Sequence, residues 1–142
     1  MAPQTSIKLT YEDYATIPDD GRRHEIIDGE HYVNPAPNIQ HMRLVKKIVR
    51  ALLPFEDAGL GEVFFAPSDV VLSMTDVVQP DVLFISAARM HIVVEKNVQG
   101  APDLAVEVLS PFNRAHDERL KLQAERKKRR HFDGASSSGN TR

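Results

Sequence analysis

The 142-residue sequence contains no cysteine, which excludes disulfides and thiolate metal sites and leaves any metal to oxygen or imidazole ligands. Such ligands favour hard cations, Mg2+ or Mn2+. Long apolar runs are missing too. No stretch approaches the roughly 20 residues needed to span a bilayer, and the opening "MAPQTSIKLT" lacks the apolar centre of a secretory signal. A cytoplasmic address with no membrane partner is the resulting expectation. A basic surplus is also absent from the body of the chain. Residues 124–142 hold six basic and two acidic residues, leaving 12 basic against 18 acidic in the first 123, a net of −6. That field repels phosphate, so contact with nucleic acid requires metal ions or a local patch such as Arg43, Lys46, Lys47 and Arg50.

What is present suits one ordinary domain, because 42% hydrophobic residues are enough to build a core at this length. Thr10, three residues before Asp13, resembles a capping box for a short helix that stops before Pro18. "HEIIDGEHYVNPAP" reads as a hairpin turning at Asp28-Gly29. Asn38 can cap a helix whose residues Leu44, Val45, Ile48, Leu52 and Phe55 keep helical spacing, ending near Gly59 and shortened or kinked by Pro54. "GEVFFAP", "DVVLSM", "PDVLFIS" and "PDLAVEVLS" read as strands. The last is apolar on most positions of both faces, which predicts a central strand with Glu107 in the interior. Helix, hairpin, helix, strands and helix in this order predict an α/β sandwich around a mixed sheet.

Two carboxylates sit awkwardly in this pattern. Asp81 heads one apolar run and Glu107 interrupts another, and burying a lone carboxylate is costly unless it is paired, hydrogen-bonded, protonated or bound to a cation. The 26 residues between them are enough for a connection that makes their strands neighbours, and two converging carboxylates make a hard-cation site. Blander readings stand beside this one. Asp81 after Pro80 suits a strand end, Glu107 an open sheet face, Glu25 the solvent side of the hairpin, and His41 a cap or a structural histidine. Lys121 suits a solvated helix position paired with Asp117. His24, His31, His91, His116 and His131 show no paired ligand spacing. The basic run "ERKKRR" reads as solvated and unspecific.

Taken together, "RRHEIIDGEHYVNPAPNIQHMRLVKKI", "VFFAPSDVVLS", "VVQPDVLFIS" and "GAPDLAVEVLSP", followed by Asp117 and Lys121, resemble the Uma-type restriction endonuclease family of the PD-(D/E)XK nuclease superfamily, over roughly Leu9 to Leu122. The resemblance implies a restriction-endonuclease-like mixed sheet flanked by helices and a DNA endonuclease dependent on Mg2+ or Mn2+. It implies that Asp81 and Glu107 hold the metal and that Glu25 helps to complete the site. It also places His41 near substrate or in support of the site. The superfamily's usual lysine position falls at Leu109, so the resemblance points to Lys121 on the following helix. DNA and a second copy of the chain are the implied partners.

The resemblance breaks off near residue 123. There the family's later helix and "REYW-VDP" strand give way to a basic, Ser/Gly-rich stretch, 124–142, with few apolar residues. The expectation is therefore a domain over 1–123, incomplete at its C-terminus by truncation or frame shift, followed by a disordered tail. Beside the nuclease, this leaves open a non-catalytic remnant or a binding module that needs a partner to complete its sheet.

Overall fold

Local signals set the frame of the fold. A computed structural model describes residues 7–109. Helix α1, Tyr11–Ala15, starts where Asp13 Oδ2 accepts from both the backbone N and the hydroxyl of Thr10. Strands β1, Arg23–Ile27, and β2, Glu30–Asn34, pair in antiparallel register from Arg23↔Asn34 to Ile27↔Glu30. Their turn needs two residues at positive φ, and Asp28 at 51° and Gly29 at 77° supply them. A side chain on Gly29 would also collide with Lys8.

Helix α2, Ile39–Asp57, is capped by Asn38, whose Oδ1 accepts from His41 N at 2.8 Å. It continues through Pro54 to Asp57 instead of stopping there, and Gly59 at φ 79° follows it. A half-buried stripe of His41, Val45, Ile48, Val49, Leu52 and Glu56 runs along it. Glu56 Oε1 accepts from Val63 N at 3.2 Å, which ties the helix to the strand it packs on.

The remaining strands are β3 Gly61–Phe65, β4 Val70–Ser73, β5 Asp76–Val78, β6 Val82–Ser86, β7 Val98–Gln99 and β8 Leu104–Val106. They form two sheets among the described residues instead of one. The first has the order β2-β1-β5-β4-β7 and is mixed, because β4 and β7 run parallel while its other pairs are antiparallel. The second has the order β3-β6-β8 and is antiparallel.

Ile27, Leu72 and Val78 of the first sheet meet Leu83 and Ile85 of the second in a shared core. Ile26 and Val77 pack on Tyr14 of α1 from the other side. Side chains alternate along a strand, so Arg23 and Glu25 share the inward face of Ile27. The expected central strand is corrected. β8 lies at the edge of its sheet among the described residues, Leu104 is 42% exposed, and Glu107 follows the strand's end half-buried. No described helix is long and apolar enough to cross a membrane.

Candidate functional site

Asp81 and Glu107 are brought together by strand pairing. β6 and β8 align Val82 with Val106, so one further step of the register sets Asp81 opposite Glu107. The backbone N of Val108 then donates to Asp81 Oδ2 at 2.6 Å. Local sequence accounts for the position: Pro80 has no N–H to contribute to a ladder, and the aspartate after it closes the strand end with its side chain.

Asp81 is 1% exposed and strongly compensated. Its Oδ1 lies 2.5 Å from Nη1 of Arg23 and 3.2 Å from Nε2 of His41. Arg23 comes from β1 and His41 from the first turn of α2, so the carboxylate joins both sheets to the helix. The other prong of the guanidinium, Nη2, donates to the carbonyl of Gln79, while its Nε is buried without a hydrogen-bond partner among the described residues. Gln79 is itself anchored. Its Nε2 donates to Asp69 Oδ1 at 2.7 Å and to the Tyr14 hydroxyl at 2.9 Å. Tyr14 lies 2.7 Å from the same Asp69 oxygen, and burial, followed by that hydrogen bond, pushes its phenol well above the ordinary tyrosine range.

Glu25 is 1% exposed, and its Oε1 accepts from Asn34 Nδ2 at 3.3 Å. It shares the Arg23 face of β1, not the solvent side of the hairpin. Lys121 lies outside the described residues, as do Asp117, His116, His131 and the 124–142 segment. A cleft of about 1020 Å³ opens over Asp81, with Arg22, Arg23, His41, Lys46 and Lys96 in its walls together with Asp19, Asp69 and Glu95.

The donor chemistry at Asp81 and Glu107, hard oxygen set side by side, fits Mg2+ or Mn2+. The cation's place beside Asp81 is nevertheless contested by Arg23, and no three His, Asp or Glu groups among the described residues come together closely enough to hold a metal ion.

Sequence reading did not single out Arg23, whose partner is 58 residues away. It also missed a second cluster. His24 Nδ1 and His31 Nε2 meet at 2.9 Å, and His24 Nε2 lies 2.8 Å from Asp20. The His24 contact, with the Arg22 backbone N–H behind it, holds the Asp20 carboxyl below its ordinary range. The seven-residue spacing of the two histidines becomes informative only once Ile26 is known to pair with His31, which puts them on one diagonal of the hairpin.

Comparison with known proteins follows the fold. A crystal structure described as a putative nuclease belonging to DUF820, from Anabaena variabilis ATCC 29413, superimposes with a TM-score of 0.62 at 17% identity, covering 78% of this chain. At that identity the likeness shows the mixed α/β fold alone. The chain spans 65% of that protein's length. No curated protein matches. The Uma2 family model, described as "Putative restriction endonuclease", matches residues 11–128, which is most of the chain, and the protein therefore belongs to the Uma2 family.

Proposed function

We propose that the protein is a DNA endonuclease dependent on Mg2+ or Mn2+, with Asp81 and Glu107 as the metal carboxylates. The observation that carries this reading is the cross-strand placement of Asp81 against Glu107, with Asp81 itself lining a cleft that Arg22, Lys46 and Lys96 also line. Glu25 lies on the inward face of β1 with Arg23 and is proposed to support the site, on the family resemblance. A bound cation would lower the pKa of its water and offset charge developing on a phosphodiester. His41, fixed between the Asn38 cap and Asp81, orients that carboxylate and faces the cleft from α2. Arg22, Lys46 and Lys96 are the cleft's candidate phosphate contacts, set among Asp19, Asp69 and Glu95. Lys121 is the proposed catalytic lysine and a second copy the proposed partner, both on the family resemblance alone.

The test is nicking of supercoiled DNA by the full chain with Mn2+. Asp81→Asn and Glu107→Gln should each lower the rate by at least about 100-fold, the scale on which loss of electrostatic transition-state stabilisation is felt. Unaltered nicking in either variant would remove that residue from the mechanism.

One observation favours the second reading, a non-catalytic binding module. With Arg23 on Asp81 the site is already neutralised by the chain itself. On that reading, DNA binds without divalent cation and is never cut.

A further inference from the structure

The contact between Arg23 and Asp81 raises a question of charge that the nuclease reading leaves open, because a guanidinium stands against the carboxylate oxygen that a divalent cation would need. We infer that Arg23 is the resident counter-ion of Asp81 in the cation-free chain, and that a divalent cation displaces it into the cleft to bind a phosphate of the substrate.

The inference rests on the proposed metal-dependent function and stands on four observations. Asp81 is spent as it stands, since Oδ1 faces both Arg23 and His41 and Oδ2 takes the Val108 N–H. A cation cannot bind Oδ1 while Nη1 sits 2.5 Å from it, because two positive groups would share one oxygen at contact distance. Arg23 is also incompletely satisfied where it is. One prong meets Asp81 and the other the Gln79 carbonyl, but Nε is buried with no hydrogen-bond partner among the described residues, so the guanidinium leaves an unmade bond behind when it moves out.

Its exit is short. Arg23 lines the cleft in its present position, with its side chain 15% exposed, and Arg22 lines the same wall. A planar fork of five donors suits a phosphate, which can accept from two prongs at once. Finally, the body of the chain is acidic, with a net of −6 over residues 1–123. A mobile cation set free only when Asp81 has been neutralised by metal would deliver positive charge to the cleft when a polyanion can use it. Divalent cation and nucleic acid then bind with positive coupling through one side chain, each raising the affinity of the other by the same factor.

The experiment is calorimetric titration of Mn2+ into the full chain, wild type against Arg23→Gln, followed by titration of a short DNA duplex into each with and without Mn2+. Removing the resident competitor should tighten Mn2+ binding by about tenfold, within the usual span of coupling between sites. Mn2+ should strengthen duplex binding in the wild type, and that gain should be lost in Arg23→Gln. Equal or weaker Mn2+ binding in Arg23→Gln overturns the inference and leaves the metal-dependent reading intact. Failure of Mn2+ to bind either protein overturns both. If Arg23→Gln gives no cooperative melt, Arg23→Lys takes its place. A lysine cannot bridge Asp81 and the Gln79 carbonyl together, so Mn2+ affinity should rise several-fold, and wild-type affinity in that variant overturns the inference.

Discussion

Pro80-Asp81 and Pro102-Asp103 stand at opposite ends of the same antiparallel strand pair, and each aspartate closes its end in the same way. Asp81, before β6, accepts from the backbone N of Val108 beyond the end of β8, at 2.6 Å. Asp103, before β8, accepts from the backbone N of Ser86 at the end of β6, at 2.7 Å. Each has an arginine beside it, Arg23 at 2.5 Å and Arg89 at 3.3 Å. The surroundings differ. The side chain of Asp81 is 1% exposed and that of Asp103 34%. Asp81 also faces His41, lies opposite Glu107 and lines a cleft whose walls carry both basic and acidic side chains. The Pro-Asp dipeptide is thus a strand-end clasp by itself, and only where burial and long-range charged partners converge on it does it become a candidate for chemistry.

Removing each clasp sharpens that contrast. Asp81→Ala strands a largely buried guanidinium without its counter-ion, and breaking a buried pair in this way costs about 3–5 kcal/mol. The loss should appear in urea unfolding as a lower midpoint at unchanged slope. Tyr14→Phe tests the support that only the buried end possesses. Without the hydroxyl, Gln79 and Asp69 lose a shared partner, and a loss of about 1–2 kcal/mol by the same measurement is expected. Asp103→Ala should cost at most about 1 kcal/mol, because its ion pair with Arg89 is exposed. A cost equal to that of Asp81→Ala would break the comparison.

The smallest effect concerns pH. Burial works against ionisation of Asp103, but the Ser86 hydrogen bonds and Arg89 outweigh it and hold the carboxyl below its ordinary range. A depressed folded-state value means that the stabilisation is complete above the unfolded value, about 3.9, and is lost as pH falls through the folded one. Asp103→Asn should therefore lose a small stabilisation above about pH 4 and flatten the acid limb, so that the two stability curves converge as pH falls through the folded value. A stability difference that persists undiminished at acid pH would contradict the assignment.

The parts of this contrast that could be read from sequence are the local ones. The Thr10–Asp13 box, the Asp28-Gly29 turn and the Asn38 cap depend on residues within a few positions of one another, and each formed as its chemistry dictates. The Asp81–Glu107 juxtaposition was half legible. The separation allowed the strands to pair, while the antiparallel register that sets the two opposite each other is a tertiary fact. The division of the described strands into two sheets could not be read, because strand patterns do not name their partners, and the edge position of β8 among the described residues follows from that division. Arg23 was invisible for the same reason. In sequence it is one more charged residue before a hairpin; in the fold the alternation of β1 aims it between the sheets at a carboxylate from another strand. Pro54 misled because helix α2 carries it in its last turn, where it is exposed and the helix had little further to run.

The most direct test of the central claim, that chemistry belongs to the Asp81 end of the strand pair and not to its Asp103 twin, is Mn2+-dependent nicking of supercoiled DNA by wild type, Asp81→Asn and Asp103→Asn side by side. The account predicts nicking in the wild type, near-complete loss in Asp81→Asn and a wild-type rate in Asp103→Asn. A wild type that leaves the DNA intact, or two variants that keep or lose activity together, would contradict it.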